Sequence, residues 1–122
     1  MVTALGNLVV LLLAALHVYI LVLEMFLWDK SQGRKAFGLS QEFATQTKTL
    51  GANQGLYNGF LAAGLFWGLI LGEAGLSVKV FFLVCILVAG VYGGLTASKK
   101  ILFIQAVPAT VGLLLLGIGT LM

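Results

Sequence analysis

Eight polar side chains lie inside apolar stretches of this sequence, and their chemical types suit proton exchange and hydrogen bonding to a ligand. They are His17, Glu24, Asn53, Gln54, Tyr57, Asn58, Tyr92 and Gln105. An imidazole or a carboxylate can take up and release a proton, whereas amides and phenols orient a ligand by hydrogen bonds. An ionisable group inside a membrane is costly, so it is treated as a functional hypothesis by default.

The spacing of these residues places several of them together. His17 and Glu24 are seven residues apart, which puts them on nearly one face of a helix, about 10 Å apart along its axis. The densest group has members three and four residues apart, as along one helical stripe, and consists of Asn53, Gln54, Tyr57 and Asn58. Ligand binding and structural hydrogen bonding both remain open for them. One histidine with one nearby glutamate is too few for a metal centre, so no metal site is predicted.

The composition of the chain points to a membrane. Hydrophobic residues make up 61% of the 122 positions and charged residues 9%, whereas soluble domains have roughly 45–50% and 25%. Stretches of about 20 apolar residues can cross a bilayer as helices, and four qualify, at about 3–28, 52–72, 78–97 and 101–121. We therefore predict an all-α integral membrane protein with a single domain over residues 1–122. It should be an antiparallel, up-down-up-down four-helix bundle with a long first loop.

The distribution of basic residues predicts the orientation of this bundle. Lysine and arginine concentrate in cytoplasmic loops. Most of them occur here in two connections, which contain Lys30, Arg34, Lys35, Lys48, Lys99 and Lys100. The remaining connection has only Lys79. We therefore expect segments 29–50 and 98–100 to be cytoplasmic and both termini to lie outside. The net charge of +3 then reflects topology, and no nucleic-acid partner is predicted.

Local signals refine this picture. Ser40 is an expected N-cap of a short helix within the first loop, with Phe43 as its apolar contact. Trp28 lies where the first span should meet the headgroups.

Glycine recurs every four residues at Gly51, Gly55 and Gly59, a pattern that favours close helix packing, with direct ligand approach as the alternative. Pro108, three residues after Gln105, should kink the fourth span.

With this topology, the eight polar residues fall in the cytoplasmic leaflet, and His17 lies deepest. The outer halves of the spans are nearly featureless by comparison. Polar groups confined to one leaflet favour a cup that is open to the cytoplasm or laterally to lipid over a pathway across the whole membrane. Membrane lipid and a small lipophilic molecule are the partners that such a cup would accept, and the sequence indicates no particular cofactor.

Three motifs carry a family resemblance. They are the runs 17–28 (HVYILVLEMFLW), 35–39 (KAFGL) and 52–62 (ANQGLYNGFLA). Over essentially the whole chain they resemble the small bacterial integral-membrane family known as domain of unknown function 1304. The resemblance implies a multi-pass protein of the bacterial cell (inner) membrane and brings no established activity.

A more distant similarity is to the MAPEG superfamily of membrane-associated proteins in eicosanoid and glutathione metabolism. The shared traits are the four helices, the basic first loop and the positions of Asn53 and Tyr92. They imply a homo-oligomer, a trimer by analogy, with a site at its subunit interfaces. That superfamily binds glutathione with arginines inside the membrane, whereas Arg34 is the sole arginine here and lies in the loop. The difference argues against glutathione conjugation.

Three functions follow as hypotheses. The first is binding or movement of a small lipophilic or amphiphilic molecule, with Glu24 and His17 linked to protons. The second is a structural or interaction subunit of a membrane oligomer, in which the polar residues fix helix contacts. The third is a MAPEG-like membrane enzyme acting on a lipid-soluble substrate, with His17 or Tyr92 as acid or base.

Overall fold

The computed structural model of the protein describes all 122 residues and contains helices without strands. Its helices are α1 (Val2–Met25), α2 (Ser31–Phe37), α3 (Gln41–Gln46), α4 (Lys48–Ile70), α5 (Leu76–Thr96), α6 (Lys99–Ile101) and α7 (Val107–Leu121). A 3-10 turn, Gly72–Gly75, joins α4 to α5, and a π-helical turn, Leu102–Ala106, joins α6 to α7. The predicted all-α class is confirmed.

Three helical segments are long and apolar enough to cross a membrane. They are Val2–Met25, Gly72–Thr96 and Lys99–Leu121, and they match the first, third and fourth predicted spans. The second predicted span corresponds to α4, which has 23 residues and therefore sufficient length. Its first half carries the amide-rich stripe, so α4 falls short in apolarity rather than in length.

The chain divides into two compact units. Unit 1 consists of Met1–Ala14 with Ala63–Met122, and unit 2 consists of Ala15–Ala62. Helices α1 and α4 each contribute residues to both units. The expectation of a single domain over residues 1–122 stays a prediction.

In unit 2, α1 packs against the predicted glycine row of α4. A Cβ atom added to Gly51 would lie 2.5 Å from Cδ2 of Trp28, and one added to Gly59 would lie 2.5 Å from Cδ1 of Leu21. A larger side chain at either position would force Trp28 or Leu21 to move, since real Cβ atoms do not approach other atoms so closely. The glycine row is therefore a packing surface within the chain.

The segment between α1 and α4 is an ordered structure. Gly38 ends α2 in the left-handed conformation (φ 66°), which glycine adopts without a steric penalty. The Ser40 side chain accepts a hydrogen bond of 3.1 Å from the backbone N–H of Phe43, which confirms the predicted N-cap of α3. Trp28 Nε1 donates to Thr47 Oγ1 at 3.0 Å. The second bond links Thr47, the residue between α3 and α4, to the segment that follows α1.

An ion pair adds to this connection, since Lys48 Nζ lies 3.4 Å from Asp29 Oδ2. Desolvation acts to raise the pKa of Asp29, but the hydrogen bond and positive charge of Lys48 outweigh it and hold that pKa below its usual value. The pair thus favours the ionised carboxylate next to the start of α4.

In unit 1, the buried core is aliphatic, and its largest fully buried side chains are Val10, Leu65, Leu83, Ile86 and Leu116. A π-helical turn precedes Pro108, and in it the N–H of Val107 donates to the carbonyl of Leu102. The predicted kink itself stays a prediction. Proline has no N–H to continue an α-helical ladder, and the wider turn lies directly before it.

A test of unit 2 is available at Gly33, which is buried in α2. A Cβ atom there would overlap the backbone carbonyl of Leu27, which cannot swing aside as a side chain could. We expect Gly33→Ala to destabilise the fold by about 1–3 kcal/mol, as overpacking typically does, and to lower the melting temperature in detergent. Gly117→Ala is the control, since nothing lies within 4 Å of its added methyl group. Equal melting temperatures for the two variants would contradict the packing.

Candidate functional site

The candidate site centres on a buried carboxyl group in α1. Glu24 is 6% exposed, and so is Asn58 of α4. Asn58 Nδ2 donates a hydrogen bond of 2.5 Å to Glu24 Oε1. A carboxyl group removed from water requires such a partner, because burying it alone is strongly unfavourable. Two of the eight predicted residues are therefore in direct contact.

Local packing explains why a short side chain can reach the carboxyl group. Gly55 lies one turn before Asn58, and an added Cβ there would lie 2.9 Å from Cβ of Glu24. A side chain at this position would push α1 away from α4 and lengthen the hydrogen bond. Asn58 Nδ2 also donates to the backbone carbonyl of Gln54 at 3.3 Å. The bond to its own helix thus orients the Asn58 amide group towards Glu24.

His17 is the other ionisable residue predicted for this site, and it is completely buried. It precedes Glu24 by seven residues in the same helix, so the two lie within about 20° of one face and about 10 Å apart along the axis. No group of three His, Cys, Asp or Glu side chains in the chain lies close enough together to hold a metal ion. The site therefore offers a carboxyl group and an imidazole along one face of α1, with an amide of α4 bonded to the carboxyl group.

The amide-rich stripe divides between two faces of α4. Asn58 turns towards α1, whereas Asn53, Gln54 and Tyr57 are exposed. Asn53 Nδ2 donates to the Tyr57 hydroxyl at 3.3 Å, and the Tyr57 ring lies 6.1 Å from that of Phe60. The structure thus leaves three of the four predicted residues on an outward surface of the chain.

Tyr92 and Gln105, the remaining predicted residues, belong to unit 1. Tyr92 is 63% exposed. Gln105 is half-buried in the π-helical turn and faces α5, since a Cβ atom added to Gly90 would lie 3.0 Å from that of Gln105. Assembly of all eight residues into one cytoplasmic-leaflet cup stays a prediction.

One polar pair was missed by the sequence analysis. Lys79 is 3% exposed in α5, and its Nζ donates to Asn7 Oδ1 of α1 at 2.8 Å. Treating Lys79 as a residue of a connection was therefore wrong, because it lies within α5. The available signal was that Lys79 lies inside the predicted span 78–97. Asn7 is 72 residues away, so spacing along the sequence could not indicate that it is the partner of Lys79.

Comparisons with known proteins place the chain among uncharacterised relatives. A family model described as "Protein of unknown function (DUF1304)" matches residues 11–117. The chain is 33% identical over 97 residues to "Uncharacterized protein YpaA" of Lactococcus lactis subsp. lactis (strain IL1403). The aligned region covers 78% of this chain and 82% of the relative. No solved structure matches the chain. The more distant similarity to the MAPEG superfamily stays a prediction.

The contact between Glu24 and Asn58 can be tested by removing the amide. Asn58→Leu leaves a buried carboxyl group without its donor, so we expect a loss of roughly 1–3 kcal/mol in stability, measured as a lower melting temperature in detergent. Gln46→Leu is the control, because that amide is exposed in the short helix α3. If Gln46→Leu destabilised the protein as much as Asn58→Leu, the buried bond would not be the stabilising feature.

Proposed function

Because this chain belongs to DUF1304, a family of proteins of unknown function, we propose a function from its own residues: it binds or moves a small lipophilic or amphiphilic molecule within a membrane. The observation that carries this proposal is the buried carboxyl group of Glu24, which lies in a helix suited to cross a membrane and has an uncharged amide as its hydrogen-bond donor. Carboxyl groups inside membranes mark ligand and proton pathways.

The proposed setting is a four-helix, antiparallel bundle in a bacterial cell membrane. The order of contacts in unit 2 supports opposite directions for α1 and α4. As α4 advances from Gly51 to Gly59, its contacts move back along the chain from Trp28, which follows α1, to Leu21 within α1. The basic residues of segments 29–50 and 98–100 support cytoplasmic connections and external termini.

The chemistry of Glu24 favours a ligand that can replace a proton. In apolar surroundings, a carboxyl group is stable either in its neutral form or as a carboxylate next to a cation, whereas an unpaired carboxylate is costly. The Asn58 amide can donate to a carboxyl oxygen in both forms. A cationic amphiphile would therefore compete with a proton for Glu24, and its apolar part would occupy the surrounding hydrocarbon. His17, two turns deeper, offers a further polar contact.

The test uses tetraphenylphosphonium as a lipophilic cation and measures its binding to the purified protein in maltoside detergent. Since protons compete for the same carboxyl group, we expect binding to weaken as the pH falls. Glu24→Gln cannot ionise, so it should bind the cation at least tenfold more weakly and without pH dependence. Glu73→Gln is the control, because this carboxylate is exposed. A Glu24→Gln variant with the binding and pH profile of the wild type would exclude the proposal.

A second function is favoured by the outward surface of α4. Its exposed polar residues are Asn53, Gln54 and Tyr57. Amides that face lipid lack hydrogen-bond partners, whereas amides between membrane helices stabilise association by roughly 0.6–2 kcal/mol each. We propose that a second copy of the chain covers this surface in a homo-oligomer, with a trimer favoured by analogy to the MAPEG superfamily. Assembly and ligand binding use different residues and can coexist.

Native mass spectrometry from mild detergent tests the assembly. The double variant Asn53→Ala, Gln54→Ala should shift the protein from its oligomer towards the monomer, because it removes both exposed amides. Gln46→Ala serves as the control, since this amide is exposed in the short helix α3. An oligomer of unchanged size and stability in the double variant would contradict the role of the stripe. The same spectra identify any lipid or small molecule that co-purifies.

A further inference from the structure

We propose that Lys79 and Asn7 form a second binding site, separate from Glu24, for a phosphate group carried by an anionic lipid or present as free phosphate. The site lies within unit 1, and both residues are in the first two turns of their helices. Lys79 is almost completely buried, whereas Asn7 is half-buried and offers the accessible side of the pair.

The path of the Lys79 side chain is built into the fold. A Cβ atom added to Gly68 of α4 would lie 2.5 Å from Cγ of Lys79 and 3.1 Å from its backbone nitrogen. A Cβ atom added to Gly75 would overlap the carbonyl oxygen of Gly68. The two glycines thus leave a narrow space in which the aliphatic part of Lys79 runs to Asn7. This lysine is held inside the protein, unlike a surface residue that extends freely into solvent.

The pair is rich in hydrogen-bond donors. Lysine has three N–H donors and no acceptor, and one of them is used on Asn7 Oδ1. That bond uses the acceptor of Asn7 and leaves its amide group as a donor of two further hydrogens. An arrangement of an ammonium group and an amide N–H group accepts an anion and disfavours a cation.

No carboxylate neutralises Lys79. The ion pair of the chain joins Lys48 to Asp29, and no Asp or Glu oxygen lies within 4.0 Å of Lys79 Nζ. Glu73, the titratable residue of the 3-10 turn before α5, is exposed and forms no ion pair. A buried ammonium group with a neutral partner alone is unfavourable. A phosphate group supplies the missing charge and several strong acceptors, since hydrogen bonds between ionised groups are the strongest kind.

The experiment measures the melting temperature of the full chain in maltoside detergent during titration with phosphatidylglycerol, phosphatidylcholine or inorganic phosphate. We expect a phosphate-bearing anion to raise it, while zwitterionic phosphatidylcholine has little effect. Lys79→Gln should weaken the apparent affinity at least tenfold, and Lys99→Gln, which changes an exposed lysine, should not. A response to phosphatidylglycerol alone identifies lipid as the source, and a response to inorganic phosphate identifies the free anion. No response to either would overturn the proposal.

A second variant keeps the test valid if Lys79→Gln fails to fold. Asn7→Asp supplies an internal counter-ion at the same position. The variant should therefore fold, and its carboxylate should neutralise the ammonium group of Lys79 and exclude the external anion. Its melting temperature should therefore not respond to phosphatidylglycerol or phosphate. An Asn7→Asp variant with the response of the wild type would falsify the site. Tetraphenylphosphonium binding should be unchanged in both variants, which separates this site from the one proposed at Glu24.

Discussion

Close approach of helices at glycine is the constraint on which both units depend. Within a bilayer, apolar side chains gain nothing by leaving lipid, so helices associate through dispersion contacts and hydrogen bonds that require short distances. In unit 2, Gly51, Gly55 and Gly59 let α1 lie against the backbone of α4. The amide of Asn58 therefore reaches Glu24 without a longer side chain. In unit 1, Gly68 makes room for Lys79 in the same way.

This constraint gives the polar residues of α4 two different roles. Asn58 lies next to the glycine row and bonds the carboxyl group of α1, whereas Asn53 and Tyr57 point outward and bond each other. The helix thus presents one polar group to its own chain and another to its surroundings. Ligand binding at Glu24 and assembly through the outward surface are consequently compatible, since neither needs the residues of the other.

Much of the secondary structure could be predicted from the sequence, because long apolar stretches and capping residues are local signals. Ser40 marked the start of α3, and the glycine spacing indicated a packing face. The rotation of α4 was harder to predict, since its polar residues lie on both its inward and its outward side and so mark no single buried face. Sequence spacing could therefore not show that Asn58 points inward while Asn53 points outward. The contact of Asn7 with Lys79 depends on helix packing across 72 positions.

The π-helical turn Leu102–Ala106 sets the rotational phase between the two ends of the last helical segment. Such a turn amounts to one extra residue within an α-helical path, and each residue of an α-helix turns the chain by about 100°. Loss of one residue here would restore a regular helix and rotate Lys99 and Lys100 by that angle relative to α7. The turn therefore sets the direction in which the basic end of the segment faces relative to the surface of α7.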